Sequence, residues 1–299
     1  MLRNGLYFIA REAARGASTA WARGYSSALV LGSLREDVIR LPLLGFSEYP
    51  SFSHFGGRGL PGGYLPLVWP GPTYRVSRLY RRALAAAERG EAARAFVTLG
   101  RAAHVLSDVS IPSHVHRAAH DRDPFEWWVE GNLLALAGAE PPSSVPEVRR
   151  PGELVQSLAG LAADFAPDRT NSPLGRLLRR RGQRRPVSAA LARSQALRLI
   201  PEAVNHVRAL LNLACRELGQ AGPASSRLVG SAGMREEDEV LEETLGALDL
   251  PEHMLKRWFD HNRAFCDDHG GRRTYPGLLE LLDRCDQALA RREADRRQP

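Results

Sequence analysis

The stretch Leu99 to Asn132, LGRAAHVLSDVSIPSHVHRAAHDRDPFEWWVEGN, moves from one helix to another across a polar break. Its first part is rich in Ala, Leu and Val at three- and four-residue spacing, the period of an amphipathic helix. Pro112 ends that helix or opens a new one, and Pro124 stands where a first helical residue is favoured. The same Ala/Leu/Arg-rich pattern recurs along the chain, and alternating strand-type runs are nearly absent. The fold class expected from this is all-α. Helices are expected at 5–23, 25–40, 73–89, 91–109, 124–138, 151–165, 186–218, 235–247, 251–268 and 276–294.

Three breaks organise these segments. Residues 41–72, LPLLGFSEYPSFSHFGGRGLPGGYLPLVWPGP, are too dense in Gly and Pro for a helix and long for a connector, a length that usually signals function or disorder. Residues 141–153, PPSSVPEVRRPGE, form a shorter break. Residues 219–233, GQAGPASSRLVGSAG, read as an inter-domain linker, which divides the chain into a catalytic unit at 1–218 and a helical extension of unknown role at 234–299.

The chain has 299 residues, enough to bury a full core, with 43% hydrophobic and 25% charged residues. No apolar run approaches the ~20 residues of a membrane-spanning helix. The net charge of +7 favours anionic partners, phospholipid surfaces and nucleic acid alike. Cys215, Cys266 and Cys285 form no CxxC pair and are expected to be buried or incidental. The opening MLRNGLYFIAREAARG has too short an apolar core for a signal peptide, so the expectation is a cytoplasmic chain or a secreted one whose start lies upstream.

Within the opening stretch, His104 and Asp108 stand four residues apart, on one face of a helix one turn from each other. That face also carries Gly100, and a carboxylate buried there is costly without a partner, which a metal supplies. His114, His116, His120 and Glu126 follow, and imidazole and carboxylate donors at this density suit Zn²⁺. Taken singly, each of these histidines reads equally well as a solvated residue at a helix end.

The run LGRAAHVLSDVSIPSH resembles the core pattern of the bacterial zinc-dependent phospholipases C, LG..lH.l.D...P.H followed by another His and by a Glu at the start of a helix. The resemblance implies a phospholipase C/P1 nuclease-like helical fold in which His104, Asp108 and His114 are metal ligands, with Asp108 bridging two ions. It implies Glu126 as a further ligand. The family's usual His-x-x-x-Glu is broken here, because Arg122 stands four residues before Glu126, so His120 reaches in from a longer loop or His116 replaces it. The family also places an Asp in the second helix and a His before an aromatic in the following loop. GSLREDV offers Asp37 for the first, and SFSHFGG offers His54 before Phe55 for the second. The similarity continues weakly through 151–165 and 186–218 and then stops.

By this resemblance Asp37, His54, His104 and Asp108 hold one zinc, and His114, His120 and Glu126 hold another, with Asp37 the candidate general base. Tyr49, Phe52, Phe55 and Tyr64 are candidates to line the pocket mouth, where aromatic faces suit a choline-like head group. The family's first-helix histidine is absent, since no His precedes His54, so two zinc ions are expected and a third is doubtful. The implied activity is phosphodiester hydrolysis at phospholipid head groups, with peripheral contact to anionic membrane and, by family, secretion. Two alternatives stand beside it. One is a single-strand nuclease of the same fold, with the basic run at 179–185 on phosphates and nucleic acid as substrate. The other is a non-catalytic relative with one structural zinc. Residues 234–299 match no known pattern, and a solvated helical hairpin is expected there. His253, His261 and His269 repeat at eight-residue steps, each about 80° further round a helix, which argues against a second metal site.

Overall fold

The computed structural model describes residues 3–41, 45–48, 54–56, 70–118, 123–138, 144–170, 186–220, 237–268 and 277–296. The helices are α1 (Arg3–Arg15), α2 (Ala20–Gly24), α3 (Ser26–Arg35), α4 (Pro72–Glu88), α5 (Ala92–Val109), α6 (Pro112–Val115), α7 (Pro124–Gly131), α8 (Leu133–Ala137), α9 (Pro151–Ala162), α10 (Ala189–Gln220), α11 (Glu237–Ala247), α12 (Glu252–Asp268) and α13 (Gly277–Asp295). Among the described residues the fold is all-α apart from one short antiparallel hairpin, β1 (Val38–Leu41) with β2 (Gly45–Glu48), in which Val38 faces Glu48 and Leu41 faces Gly45. No described helix is long and apolar enough to cross a membrane.

Helix α5 is the axis. It is apolar nearly all the way round, with Ala92, Phe96, Leu99, Ala103, Leu106 and Val109 all buried, the pattern of a helix enclosed on every side. Helices α3, α4, α9, α10 and α11 pack around it. The tightest of these packings is with α3. A Cβ placed on Gly100 would lie 2.1 Å from the Leu29 carbonyl oxygen, and one on Gly32 would lie 2.1 Å from that of Val97. Two glycines facing each other's backbone let α3 and α5 approach closer than any side chain permits. Next to this crossing Trp21 sets its ring edge-on to Phe96 at 4.6 Å, and Tyr25 stacks on the same ring at 5.1 Å.

Several expected helices are interrupted for local reasons. The segment foreseen at 5–23 divides after Arg15, because Thr19 caps a new start by accepting a hydrogen bond from the Ala22 amide. The one foreseen at 124–138 breaks at Asn132, between α7 and α8. The one foreseen at 25–40 stops at Arg35, and the chain turns through Glu36 and Asp37 into β1, so Asp37 sits just beyond a helix rather than on it. Beyond residue 236, the expected solvated hairpin is instead three helices with buried apolar stripes. Leu241 and Leu245 of α11 join the core against α3 and α5, and Trp258 and Phe259 of α12 and Leu282 of α13 belong to the same continuous cluster. Arg35 also donates to the Leu248 carbonyl at 3.3 Å.

Candidate metal centre

The α3–α5 crossing brings the end of one helix beside the C-terminal half of the other. His104 and Asp108 project from α5 one turn apart, Glu36 and Asp37 follow the last turn of α3, and the segment 54–56 closes over them. That segment is pinned by the Gly56 amide, which donates to the His114 carbonyl at 3.1 Å. Gly56 adopts φ 144°, a conformation side chains disfavour. The Phe55 ring stacks on the His114 imidazole at 4.3 Å with 3° between the planes.

Asp37, His54 and His104 each offer a donor atom, and these atoms all lie within 4.8 Å of one another. This group could hold a metal ion. His104 donates from Nδ1 to the Ser33 carbonyl at 2.7 Å, which turns Nε2 toward Asp37 Oδ2 at 3.2 Å and Asp108 Oδ2 at 3.1 Å. His54 Nδ1 lies 2.8 Å from the same Asp108 oxygen and 3.7 Å from Asp37 Oδ1. Asp108 Oδ2 thus meets two imidazoles at once. His54, His104 and Asp108 are almost fully enclosed, whereas Asp37 keeps 23% of its side-chain surface exposed and so marks the open side of the cluster. Yet Asp37 Oδ1 itself is buried with no hydrogen-bond partner among the described residues. A buried carboxylate oxygen left so is costly unless a cation completes it, and the nitrogen and oxygen donors around it fit such an ion.

The electrostatics agree. Burial disfavours charge on every member, but mutual attraction overrides it. Burial pushes the His104 imidazole down, while the Asp37 and Asp108 carboxylates raise it well above its ordinary value. His54 is raised in the same way by Asp108, Glu36 and Asp37. Burial pushes the Asp37 carboxyl up, and the two imidazoles bring it below the usual range; Asp108 is held well below it, with His104 and His114 contributing. The cluster therefore favours protonated imidazoles beside ionised carboxylates, and an ion held there would have to displace those protons.

The outer ligands expected from the sequence fare unequally. His114 is buried with its Nδ1 3.9 Å from Asp108 Oδ2, at the edge of the cluster. Glu126 is buried in the first turn of α7, outside the group of three. Its helix is fixed by Asp123, which accepts from the Phe125 amide at 2.8 Å and from the Ser113 hydroxyl next to His114. His116 turns its Nε2 to the carbonyls of Ala163 and Phe165, at 3.1 and 3.0 Å, and away from the substitution foreseen for it. Phe55 is buried against His114 and so is a packing partner rather than part of a pocket mouth. His120, Tyr49, Phe52, Tyr64, the basic run at 179–185 and His269 lie outside the described residues. His253 and His261, exposed on α12, join no metal-holding group among the described residues.

Sequence reasoning missed Glu36. Its side chain is completely buried, paired with Arg75 through Nε at 2.6 Å and with Arg101 at 2.6 Å, and it reaches His54 Nε2 at 3.4 Å. Burial pushes the Glu36 carboxyl up, but the hydrogen bond from His54 and the two guanidiniums leave it far below the usual carboxylate range. The adjacent pair Glu36-Asp37 was the only available signal, and two acids after a helix are more often solvated. No family model and no curated protein matches the chain.

Proposed function

We propose that this chain is a zinc-dependent phosphodiester hydrolase of the phospholipase C type, acting on phospholipid head groups. The observation that carries the reading is the convergence of Asp37, His54 and His104, with Asp108 bound to both imidazoles, on one buried point. These are the residues that the sequence resemblance singles out, drawn from three separate segments. Asp37, His54, His104 and Asp108 would hold a divalent metal there, and it would supply Lewis-acid polarisation of a phosphoryl oxygen and a more acidic water.

The chain's own residues supply the rest. His104, locked to Ser33, and His54, locked to Glu36, present fixed donor nitrogens, and Asp108 holds both in place. Asp37 stands at the open side, where a water and a substrate arrive, and is the general base of this reading: an ion held by one of its oxygens would leave the other to accept the water's proton. It takes one proton of the attacking water as the oxygen bonds to phosphorus, while the diacylglycerol oxygen departs with the electron pair of its broken P–O bond and takes up a proton from solvent. The surplus positive charge supports approach to an anionic membrane surface.

The test is elemental analysis together with parallel assays on phosphatidylcholine and single-stranded DNA. The expected result is bound zinc and faster turnover of the lipid, both largely lost in His104→Ala and Asp108→Ala. Full zinc occupancy in both variants overturns the ligand assignment. Faster turnover of single-stranded DNA identifies a nuclease, and zinc without turnover of either substrate a structural site.

A further inference from the structure

Glu36 carries one contact more than charge neutralisation requires. A buried carboxylate needs compensation, and Arg75 from α4 and Arg101 from α5 provide it, one at each oxygen, with their own guanidiniums partly exposed. Oε1 nevertheless also faces His54 Nε2 at 3.4 Å. An ionised carboxylate only accepts, so the proton between them resides on Nε2. The other nitrogen of the ring, Nδ1, is the one that faces Asp108 and Asp37. Nδ1, 2.8 Å from the ionised Asp108, carries a proton as well in the metal-free protein; an ion bound at Nδ1 would displace that proton and leave the one on Nε2, held by Glu36 from outside the cluster, in the way that a hydrogen-bonded carboxylate orients a metal-binding imidazole.

We propose that Glu36 is a positioning residue for the metal centre, holding the Nε2–H of His54 so that Nδ1 is the atom presented to the ion. The inference rests on the reading that His54 binds metal. Arg75 and Arg101 hold Glu36 in turn, so α4, α5 and the residue that follows α3 converge on the placement of one donor nitrogen. His104 is handled differently, by the Ser33 carbonyl at its Nδ1, and presents Nε2. The two imidazoles thus meet the ion through opposite ring nitrogens.

Two measurements on the full chain test this. In protein loaded with ¹¹³Cd²⁺ and labelled with ¹⁵N at histidine, His54 should show cadmium coupling at Nδ1 and a protonated Nε2, and His104 the reverse. Binding of His54 through Nε2 overturns the proposal and needs no variant to detect. The second measurement compares Co²⁺ affinity, by competition with a chromophoric chelator, and the Co²⁺ visible spectrum in wild type, Glu36→Asp and Glu36→Gln. Aspartate keeps the charge that the arginines need but is one methylene too short to span to His54. A role confined to the arginine pairs therefore leaves Glu36→Asp with wild-type affinity, and that result overturns the proposal. The expected result is about 10–100-fold weaker binding and an altered spectrum in both variants. Wild type that binds no metal refutes the parent reading instead, which keeps the two failures distinct.

Discussion

Replacing Gly100 with alanine pits two effects of opposite sign against each other. Helix propensity alone predicts that Gly100→Ala stabilises α5 by roughly 0.5–1 kcal/mol. The new Cβ, however, would lie 2.1 Å from the Leu29 oxygen and 2.8 Å from the Ser33 nitrogen, both backbone atoms that no rotamer change can move, whereas real Cβ contacts essentially never fall below 3.0 Å. Helices α3 and α5 must part by about 1 Å at their closest point, and overpacking of this kind costs about 1–3 kcal/mol, toward the upper end when the neighbour is main chain. The clash dominates, for a net loss of about 1–2 kcal/mol, and each kcal/mol lowers the melting temperature by roughly 2–4 °C in a domain approaching this size. The same parting stretches the 2.7 Å bond from His104 to the Ser33 carbonyl beyond hydrogen-bond range, so metal affinity falls as well. Thermal melts by circular dichroism and a chelator competition measure the two effects. Gly219→Ala on α10, where nothing lies within 4 Å, is the control and should show no loss. A Gly100→Ala protein that melts at or above wild type refutes the close-crossing account.

Three further outcomes are expected. His54 and His104 are raised above their ordinary value of 6.5, so their contribution to the stability of the metal-free protein is present below that pH and lost as pH rises through the raised values. Asp37 and Asp108 are lowered from 3.8, so theirs is lost only as acid takes the pH down through the depressed values; urea titrations from pH 3 to pH 9 should show both flanks, and a stability flat above pH 7 would contradict the histidine directions. On the proposed reading the ligands that the resemblance implies would serve two ions and leave a third position only the bridging Asp108, so mass spectrometry of the zinc-saturated chain should find two per molecule; three would show another donor at work. Cys285 is buried with its thiol pushed up to about 12, and Cys215 is raised by burial too, so neither should react with a thiol reagent in the native state at pH 8 and both should on denaturation, as peptide mapping will read.

How far the sequence carried can be followed residue by residue. Periodicity placed α4 and α5 to within a residue or so, and the four-residue step from His104 to Asp108 located the heart of the site, because both signals are local. Asp37 and His54 came from motif order alone, and their meeting depends on a hairpin that Gly and Pro content concealed. Glu36 escaped notice for a different reason. Nothing in its neighbours distinguishes it from a solvated acid, and the partners that justify its burial, Arg75 and Arg101, are two among 41 basic residues. Apolar stripes in the last three helices were visible, but not the surface that they would cover.

The bond between His104 and Ser33 joins residues 71 positions apart, and that between His54 and Asp108 joins residues 54 apart. No short piece of the chain holds the donor set, so the centre is assembled only once α3 has docked on α5. Loop closure of that length must precede any reward from the ion. A metal there cannot seed folding. Bound there, it would act as a clasp, slowing the separation of α3 from α5 while leaving the rate of their first encounter unchanged, and so would lengthen the lifetime of the native molecule more than hasten its birth.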